Sequence, residues 1–227
     1  MFNKACHALT TCKNTLQGHL DDVISAIATD PKTMKACEDY FNWITLQTEL
    51  IKAEECFVLP SNIIPNKVTQ HDYNYLHQDK RAIIDKYYKQ DTDTGLFIIN
   101  SKKTSILQEE RETLIHSLVL RRGSVVWVNF GFNIGNEFRG KHPAIILKNI
   151  RNVMIVVPLS SRPPNRPEIN IEVNNVNGLP SSRIRWASIL RIVPISILRI
   201  DFNSPTGDVK GAILSEISNK IAAHGIK

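Results

Sequence analysis

The sequence predicts an α+β protein, in which an N-terminal helical region precedes a small antiparallel β-barrel and a closing C-terminal helix. Three observations lead to this prediction. Apolar residues recur every three or four positions in four segments of residues 1–118, which is the spacing of amphipathic helices. From residue 121 the chain changes to short β-branched and aromatic runs with brief connections. Residues 207–224 then return to helical spacing.

The charge is divided unevenly along the 227 residues. Residues 1–118 carry 13 Lys and Arg against 16 Asp and Glu, whereas residues 119–227 carry 15 against 6. The second part therefore has a net charge of +9, which is typical of a surface that meets nucleic acid or another polyanion. We predict two domains: a helical region of unknown role at 1–118, and the barrel at 119–227.

The longest predicted helix covers residues 31–57. Asp30 suits its N-cap and Pro31 suits its first helical position. Further helices are predicted at 14–29, 68–88 and 104–120, with loops at 59–67 and 89–95. The aromatic residues of this part are expected to serve helix packing, and they do not indicate a function.

Five strands are predicted in the second part, at 121–133 with its turn, 143–149, 153–160, 169–173 and 182–192. Their short connections favour an antiparallel curled sheet or barrel over a βαβ arrangement. In the fifth strand, one face would carry Ile184, Trp186 and Leu190 and the other would carry arginines. We expect the first face to be core and the arginine face to be exposed.

The composition also argues against several classes of protein. No segment approaches the roughly 18 apolar residues needed to span a bilayer, and the N-terminus lacks the apolar run of a signal peptide. We therefore expect a soluble, cytoplasmic protein. The four cysteines form no C-x-x-C pair and the histidines form no close pair at metal-ligand spacing, so we expect structural thiols, no metal and no cofactor.

Several motifs of the second part occur in a recognisable order. They are RRGSVVWVNFG (121–131), IGNEFRGKHPAIIL (134–147), IVVPLSS (155–161) and IRWASILRIVPISI (184–197). This series resembles the MazF/PemK toxins of type II toxin–antitoxin systems, which have an R-G-D-I-V-like first strand, a G-x-E-x-x-G-x-R-P turn and a V-x-P-[IL]-[TS]-S strand end. Residues 1–118 lie outside the resemblance.

The resemblance implies an SH3-like barrel that forms a homodimer. It also implies that single-stranded RNA binds across the dimer groove and is cleaved without metal at short sequence motifs. The implied partner is a cognate antitoxin, which would neutralise the toxin by laying an extended segment into the same groove.

Metal-free RNA cleavage uses the ribose 2′-OH as nucleophile, so a site must accept its proton, stabilise charge on phosphorus and protonate the leaving 5′ oxygen. The family's arginine in the R-P turn corresponds here to His142, and its Thr or Ser at the strand end corresponds to Ser160. Histidine exchanges a proton near about pH 6.5, which arginine does not. Three interpretations of His142 therefore remain open. The residue acts as an acid or base in catalysis, or its lack of a permanent charge indicates a weak or inactive nuclease. In the third interpretation it serves only the structure of the turn before Pro143.

A second departure concerns an Arg-x-Asp pair that some family members place in the fifth strand. Arg185 stands at the arginine position, but Ala187 stands at the aspartate position. We expect His142, Ser160 and Arg185 to be the catalytic residues, with Arg185 holding a phosphate. Ser160 has an alternative role as a strand-end serine that bonds to the backbone.

Two further groups of residues are predicted around this site. The RNA-binding group is Arg139, Lys141, Ser161, Arg162, Arg166 and Arg183. The group that shapes the loop is Gly135, Asn136, Glu137 and Gly140, because Gly and Asn favour turns.

A different class of function remains open. The substitutions at His142 and Ala187 are also what a non-catalytic nucleic-acid-binding protein, or a gyrase inhibitor built on the same barrel, would show. Residues 1–118 could inhibit the RNA groove or dock a partner, since they are mildly acidic, or could form a dimerisation or spacer domain.

Overall fold

The computed structural model describes residues 10–11, 13–15, 17–22, 25, 31–132, 138–180 and 184–225. The chain forms two compact units, Met1–Ala53 and Glu54–Lys227. The second unit thus begins well before the predicted domain boundary at 118 and 119. Its N-terminal part shares a hydrophobic core with the sheet that follows, and this shared core is the physical reason for the difference.

The first unit is helical wherever it is described. The described residues between 10 and 25 are helical, so the helix predicted at 14–29 lies partly outside the described residues. Helix α1 covers Pro31–Ala53, a little shorter than predicted, and a 3₁₀ turn at Glu54–Cys56 follows it. None of the side chains described in α1 is fully buried. In the described part of the chain, no helix has the length and apolarity to cross a membrane.

The beginning of the second unit contains strands as well as helices. Its elements are β1 (Lys67–Val68), α2 (Gln70–Tyr75), α3 (Gln78–Tyr87), β2 (Tyr88–Gln90), β3 (Phe97–Ile99) and α4 (Gln108–Leu114), which continues as a wider π turn over Ile115–Val119. The strands form an antiparallel sheet in the order β1-β3-β2. Strands of two or three residues are too short to show a period of two, which is why the sequence predicted none here.

The main sheet is antiparallel throughout. Its strands are β4 (Ser124–Asn129), β5 (Lys141–Ile150), β6 (Val153–Ser160), β7 (Asn170–Val173), β8 (Arg185–Ser188), β9 (Val193–Ser196) and β10 (Gly207–Asp208). The order is β10-β4-β5-β6-β8-β7, and β9 also pairs with β6. Asn177 and Asp208 exchange two backbone hydrogen bonds of 3.0 Å, which join the segment after β7 to β10 and curl the sheet toward closure. Helix α5 (Gly211–Ala223) ends the fold, and the predicted α+β class is confirmed.

Both faces of the main sheet are covered. On the inner face, Val125, Ile145 and Val157 pack in a core with Ile217 of α5. On the outer face, an apolar set from the sheet packs against residues of the 57–120 segment. The outer set includes Val126, Val128, Ala144, Ile146 and Val156, and the covering set includes Ile84, Ile115 and Leu120. Double-sided burial explains why β4 is a run of valines rather than an apolar and polar alternation.

The predicted faces of the fifth strand are reversed in the structure. Arg185 is only 8% exposed and Ala187 is fully buried, whereas Ile184 and Leu190 are 51% and 56% exposed. The strand predicted at 182–192 is also shorter in the structure, because β8 ends at Ser188 and a 3₁₀ turn at Ile189–Arg191 follows it. Ala187 pairs with Leu159 and Ile171 in the inner core, so the face of β8 that carries Arg185 and Ala187 is the covered one, which is the physical reason for the correction.

Replacing Gly207 with alanine should destabilise the fold. A Cβ atom at this position would overlap the carbonyl oxygen of Asn177, at the point where the sheet curls toward closure. We expect a loss of about 2–3 kcal/mol in the free energy of unfolding, measured by urea denaturation. Gly211→Ala is the matched control, because no atom lies within 4 Å of its Cβ position. Equal stability of the two variants would contradict the assigned role of Gly207.

Replacing Ile115 with alanine should destabilise the sheet and its covering segment together. Ile115 is fully buried in the shared core, so we expect a loss of about 2–4 kcal/mol in the free energy of unfolding. Leu107→Ala, at a side chain that is 61% exposed, should cost less than about 0.5 kcal/mol. Tryptophan fluorescence of the sheet, from Trp127 and Trp186, should report the loss in Ile115→Ala. An unchanged sheet transition would show that residues 57–120 fold separately.

Candidate nucleic-acid interface

The turn between β4 and β5 is closed at its base by backbone hydrogen bonds. Phe130 N donates to Gly140 O at 2.9 Å, and Gly140 N donates to Gly131 O at 2.8 Å. Gly131 and Gly140 have φ angles of 93° and 78°, which only glycine adopts without strain. Gly135, Asn136 and Glu137, which were predicted to shape this loop, lie outside the described residues.

His142 and Ser160 lie on neighbouring strands. His142 pairs with Val128 across β4 and β5, and Ala144 pairs with Pro158 across β5 and β6. His142 and Ser160 each lie two residues beyond that pair on their own strands, so each points to the same side as Ala144 and Pro158. Since paired residues of an antiparallel sheet point to the same side, both side chains belong to the outer face.

The His142 ring is half-buried and lies against the turn. Its ring centroid is 4.5 Å from that of Phe138, in an edge-to-face arrangement. Burial lowers the pKa of His142 below its usual value, the positive charge of Arg162 lowers it further, and a hydrogen bond from the ring to the Arg139 carbonyl partly offsets both. The imidazole is therefore neutral at neutral pH. One ring nitrogen donates to Arg139, which leaves the other as a proton acceptor.

Ser160 organises the loop that follows β6. Its Oγ accepts a hydrogen bond from the backbone N of Arg162 at 3.0 Å and donates to the Arg162 carbonyl at 3.2 Å. These contacts agree with the alternative prediction of a strand-end serine that bonds to the backbone. They also hold the start of the loop that carries Arg162, whose side chain is exposed. Ser161 and Arg166 are exposed in the same loop.

The two cations of the turn have different surroundings. Lys141 forms an ion pair with Asp201 and lies over the Trp127 ring at 5.7 Å. Burial alone would raise the pKa of Asp201, but its hydrogen bonds, including the one from Lys141, bring that pKa below the usual value. Arg139 is exposed and lies over the Phe132 ring at 5.7 Å. The charge of Lys141 is therefore largely balanced within the protein.

Arg185 does not share a face with His142 and Ser160. It pairs with Val173 on the inner side of the sheet, and its Nη1 donates to the Pro180 carbonyl at 3.5 Å. Ala187, at the predicted aspartate position, is also in the inner core. Arg183 lies outside the described residues. The structure thus brings His142, Ser160 and Arg162 together, and it directs Arg185 away from them.

Two residues next to this site were not nominated from the sequence. Phe138 contacts His142 and also packs against Phe130, with ring centroids 5.4 Å apart. Arg191, in the turn between β8 and β9, places its Cζ 5.4 Å from the Phe138 centroid. Phe138 could have been predicted from the sequence, because it is an aromatic residue in an otherwise polar turn. Arg191 gave no such signal, because its position depends on the 3₁₀ turn.

The chemistry that this interface offers is proton transfer combined with anion binding. A neutral imidazole can accept a proton, and the exposed guanidinium groups of Arg139, Arg162 and Arg191 can bind phosphate. Within the described ranges, no three His, Cys, Asp or Glu side chains converge as a set of metal ligands.

The second part of the chain is similar to known toxins. Residues 121–224 match the family of PemK-like, MazF-like toxins of type II toxin–antitoxin systems. No curated protein sequence matches the chain. The toxin MazF-mt6 of Mycobacterium tuberculosis is 14% identical over 45% of this chain and 94% of its own, with a TM-score of 0.35.

Two further solved structures are similar to the chain at low identity. One is an endoribonuclease in complex with its cognate antitoxin from a mycobacterial species, 17% identical over 47% of this chain and 95% of its own, with a TM-score of 0.36. The other is MazE-MazF from Deinococcus radiodurans, 20% identical over 48% and 98%, with a TM-score of 0.36. The resemblance predicted from the motifs is confirmed by the family match. The family match spans residues 121–224, which is less than half of the chain, and residues 1–120 lie outside it.

Proposed function

We propose that this protein is the toxin of a type II toxin–antitoxin system and that it cleaves single-stranded RNA without a metal ion. The family match of residues 121–224 supports the role of toxin. The observation that carries the proposed reaction is the location of His142 and Ser160 on one sheet face, with Arg162 close enough to lower the pKa of His142.

In the proposed reaction, the neutral His142 ring accepts the proton of a ribose 2′-OH. The 2′ oxygen forms a bond to the adjacent phosphorus, and the bond from phosphorus to the 5′ oxygen breaks. The departing oxygen takes a proton from a water molecule, and the hydroxide left behind takes the proton that His142 accepted, which restores the neutral ring and leaves a 2′,3′-cyclic phosphate and a 5′-OH. His142 suits the first step because burial keeps it unprotonated at neutral pH.

The remaining residues bind and orient the RNA. Arg162 and Arg139 are exposed cations that meet its phosphates. Ser160 holds the backbone at Arg162, and a rotation of its hydroxyl away from the 3.2 Å contact with the Arg162 carbonyl allows donation to a phosphate oxygen. We assign Arg185 to the structure of the inner core rather than to RNA, because its side chain is 8% exposed.

The proposed partners are single-stranded RNA and an antitoxin. An antitoxin segment that competes with RNA must match the same cationic loops, so an acidic, extended segment is the expected form. A homodimer, as the family resemblance implies, would associate through a surface other than the apolar outer face of the sheet. Residues 57–120 already cover that part of the sheet.

A second candidate function is RNA binding without cleavage. Two observations favour it. The family's arginine position holds the neutral His142, and Arg185 points into the inner core. The site therefore lacks two permanent cations that would stabilise charge on the reacting phosphate. RNA binding that weakens with salt, without any cleavage products, would support this second candidate.

Cleavage of single-stranded RNA in the presence of EDTA tests the leading proposal. We expect cleavage at defined sites by the wild type, and losses of about a hundredfold or more in His142→Ala and of about tenfold in Ser160→Ala. His77→Ala and Ser218→Ala are the matched controls, since both side chains are exposed and lie outside the interface. Undiminished cleavage by the double variant at positions 142 and 160 would refute these assignments.

The pH dependence of cleavage tests the state of His142. The active form is unprotonated, so kcat/KM should fall as the pH drops through an apparent pKa below about 6.5. His142→Gln should lose this acidic limb. His142→Arg separates the two roles considered for position 142: it should be as inactive as His142→Gln if the ring is the base. Greater activity than wild type in His142→Arg would show that the position needs a permanent cation instead.

A further inference from the structure

An exposed cation contacts the same aromatic ring as His142, whose own side chain carries no permanent charge. Arg191 is the last residue of the 3₁₀ turn Ile189–Arg191, and its side chain is exposed. Its Cζ lies over the Phe138 ring, 5.4 Å from the centroid. The same ring contacts His142, with centroids 4.5 Å apart. The separation between the Arg191 Cζ and the centroid of the His142 ring is therefore at most the sum of 5.4 Å and 4.5 Å.

The contact with Phe138 positions the Arg191 guanidinium and leaves its charge available. Among the described residues Arg191 forms no ion pair, whereas Lys141 in the neighbouring turn is paired with Asp201. An aromatic ring contacts only the flat face or one edge of a guanidinium, so N–H groups remain free to donate to an anion. Such a fork matches the oxygens of a phosphate and can form two parallel hydrogen bonds.

We propose that Arg191 binds the RNA phosphate next to His142, and so supplies from another loop the permanent cation that position 142 lacks. Phe138 acts as a positioning residue for both side chains. The inference rests on the proposed function for the identity of the ligand. It concerns binding, however, and does not require that the bound RNA be cleaved.

The test uses the full-length protein and a fluorescent single-stranded RNA in which every 2′-OH is methylated, so that cleavage cannot occur. Fluorescence anisotropy gives Kd at several KCl concentrations. We expect Arg191→Gln to raise Kd about tenfold and to reduce the slope of log Kd against log salt by about 0.7, the value for one phosphate contact on a single strand. Arg191→Lys should keep the slope and lose part of the affinity, because it keeps the charge without the fork.

The matched control is Arg151→Gln, which removes the same charge from an exposed side chain in the hairpin between β5 and β6. Position 151 follows the opposite end of β5 from His142, roughly 30 Å away along the strand. We expect its Kd and salt slope to equal those of the wild type. Arg191→Met, which keeps an aliphatic side chain against Phe138, should lose as much affinity as Arg191→Gln if the charge is what matters.

Several outcomes would overturn the inference. The first is that Arg191→Gln has the same Kd and the same salt slope as the wild type, and the second is that Arg191→Gln and Arg151→Gln lose the same affinity for RNA. The third is that Arg191→Met binds RNA with the affinity of the wild type. The fourth is that the wild type binds no RNA. The proposed nuclease is judged separately, by cleavage of unmodified RNA in EDTA. Wild-type protein that binds the methylated RNA through Arg191 but cleaves no RNA would refute the nuclease and support this inference.

Discussion

The fold of the second unit depends on the burial of both faces of one curled antiparallel sheet. The inner face is closed by α5 and by the sheet's own curvature, whereas the outer face has no such internal cover. An apolar sheet face left in water would be a site of association or aggregation. Residues 57–120 remove that exposure, which makes them part of the folding unit even though the family match begins only at residue 121.

This constraint also determines how the candidate site is built. His142 and Ser160 lie at the ends of β5 and β6, on strands held rigid by packing on both sides. Their spacing is therefore set by sheet register rather than by a flexible loop. The cations Arg162 and Arg191, in contrast, come from the turns that follow β6 and β8, where side chains are exposed. In the proposed reaction, the proton acceptor would thus be held by the rigid part of the fold, and phosphate binding would fall to the connections.

The sequence predicted the features that depend on local pattern and missed those that depend on pairing. The strand runs, the closing helix and the neighbourhood of His142 and Ser160 all followed from motifs and their order. The faces of the fifth strand were predicted wrongly, because the face that meets the inner core is decided by the pairing of Ala187 with Leu159 and Ile171, which the strand's own sequence does not show. Arg191 was missed for the same reason. Its approach to Phe138 arises from a corner between two strands that both pair with β6.

The replacement of arginine by histidine at position 142 has a physical consequence that separates two roles. An arginine in the turn would bring a fixed positive charge but could not take up a proton at neutral pH. A half-buried, neutral imidazole can take up that proton, but it brings no charge until it has done so. A nearby permanent cation disfavours protonation of the ring, as Arg162 does, and it also stabilises the phosphate. The two effects of such a cation conflict less when it lies nearer to the phosphate than to the imidazole. Cations on loops separate from position 142 would allow such an arrangement in the proposed reaction.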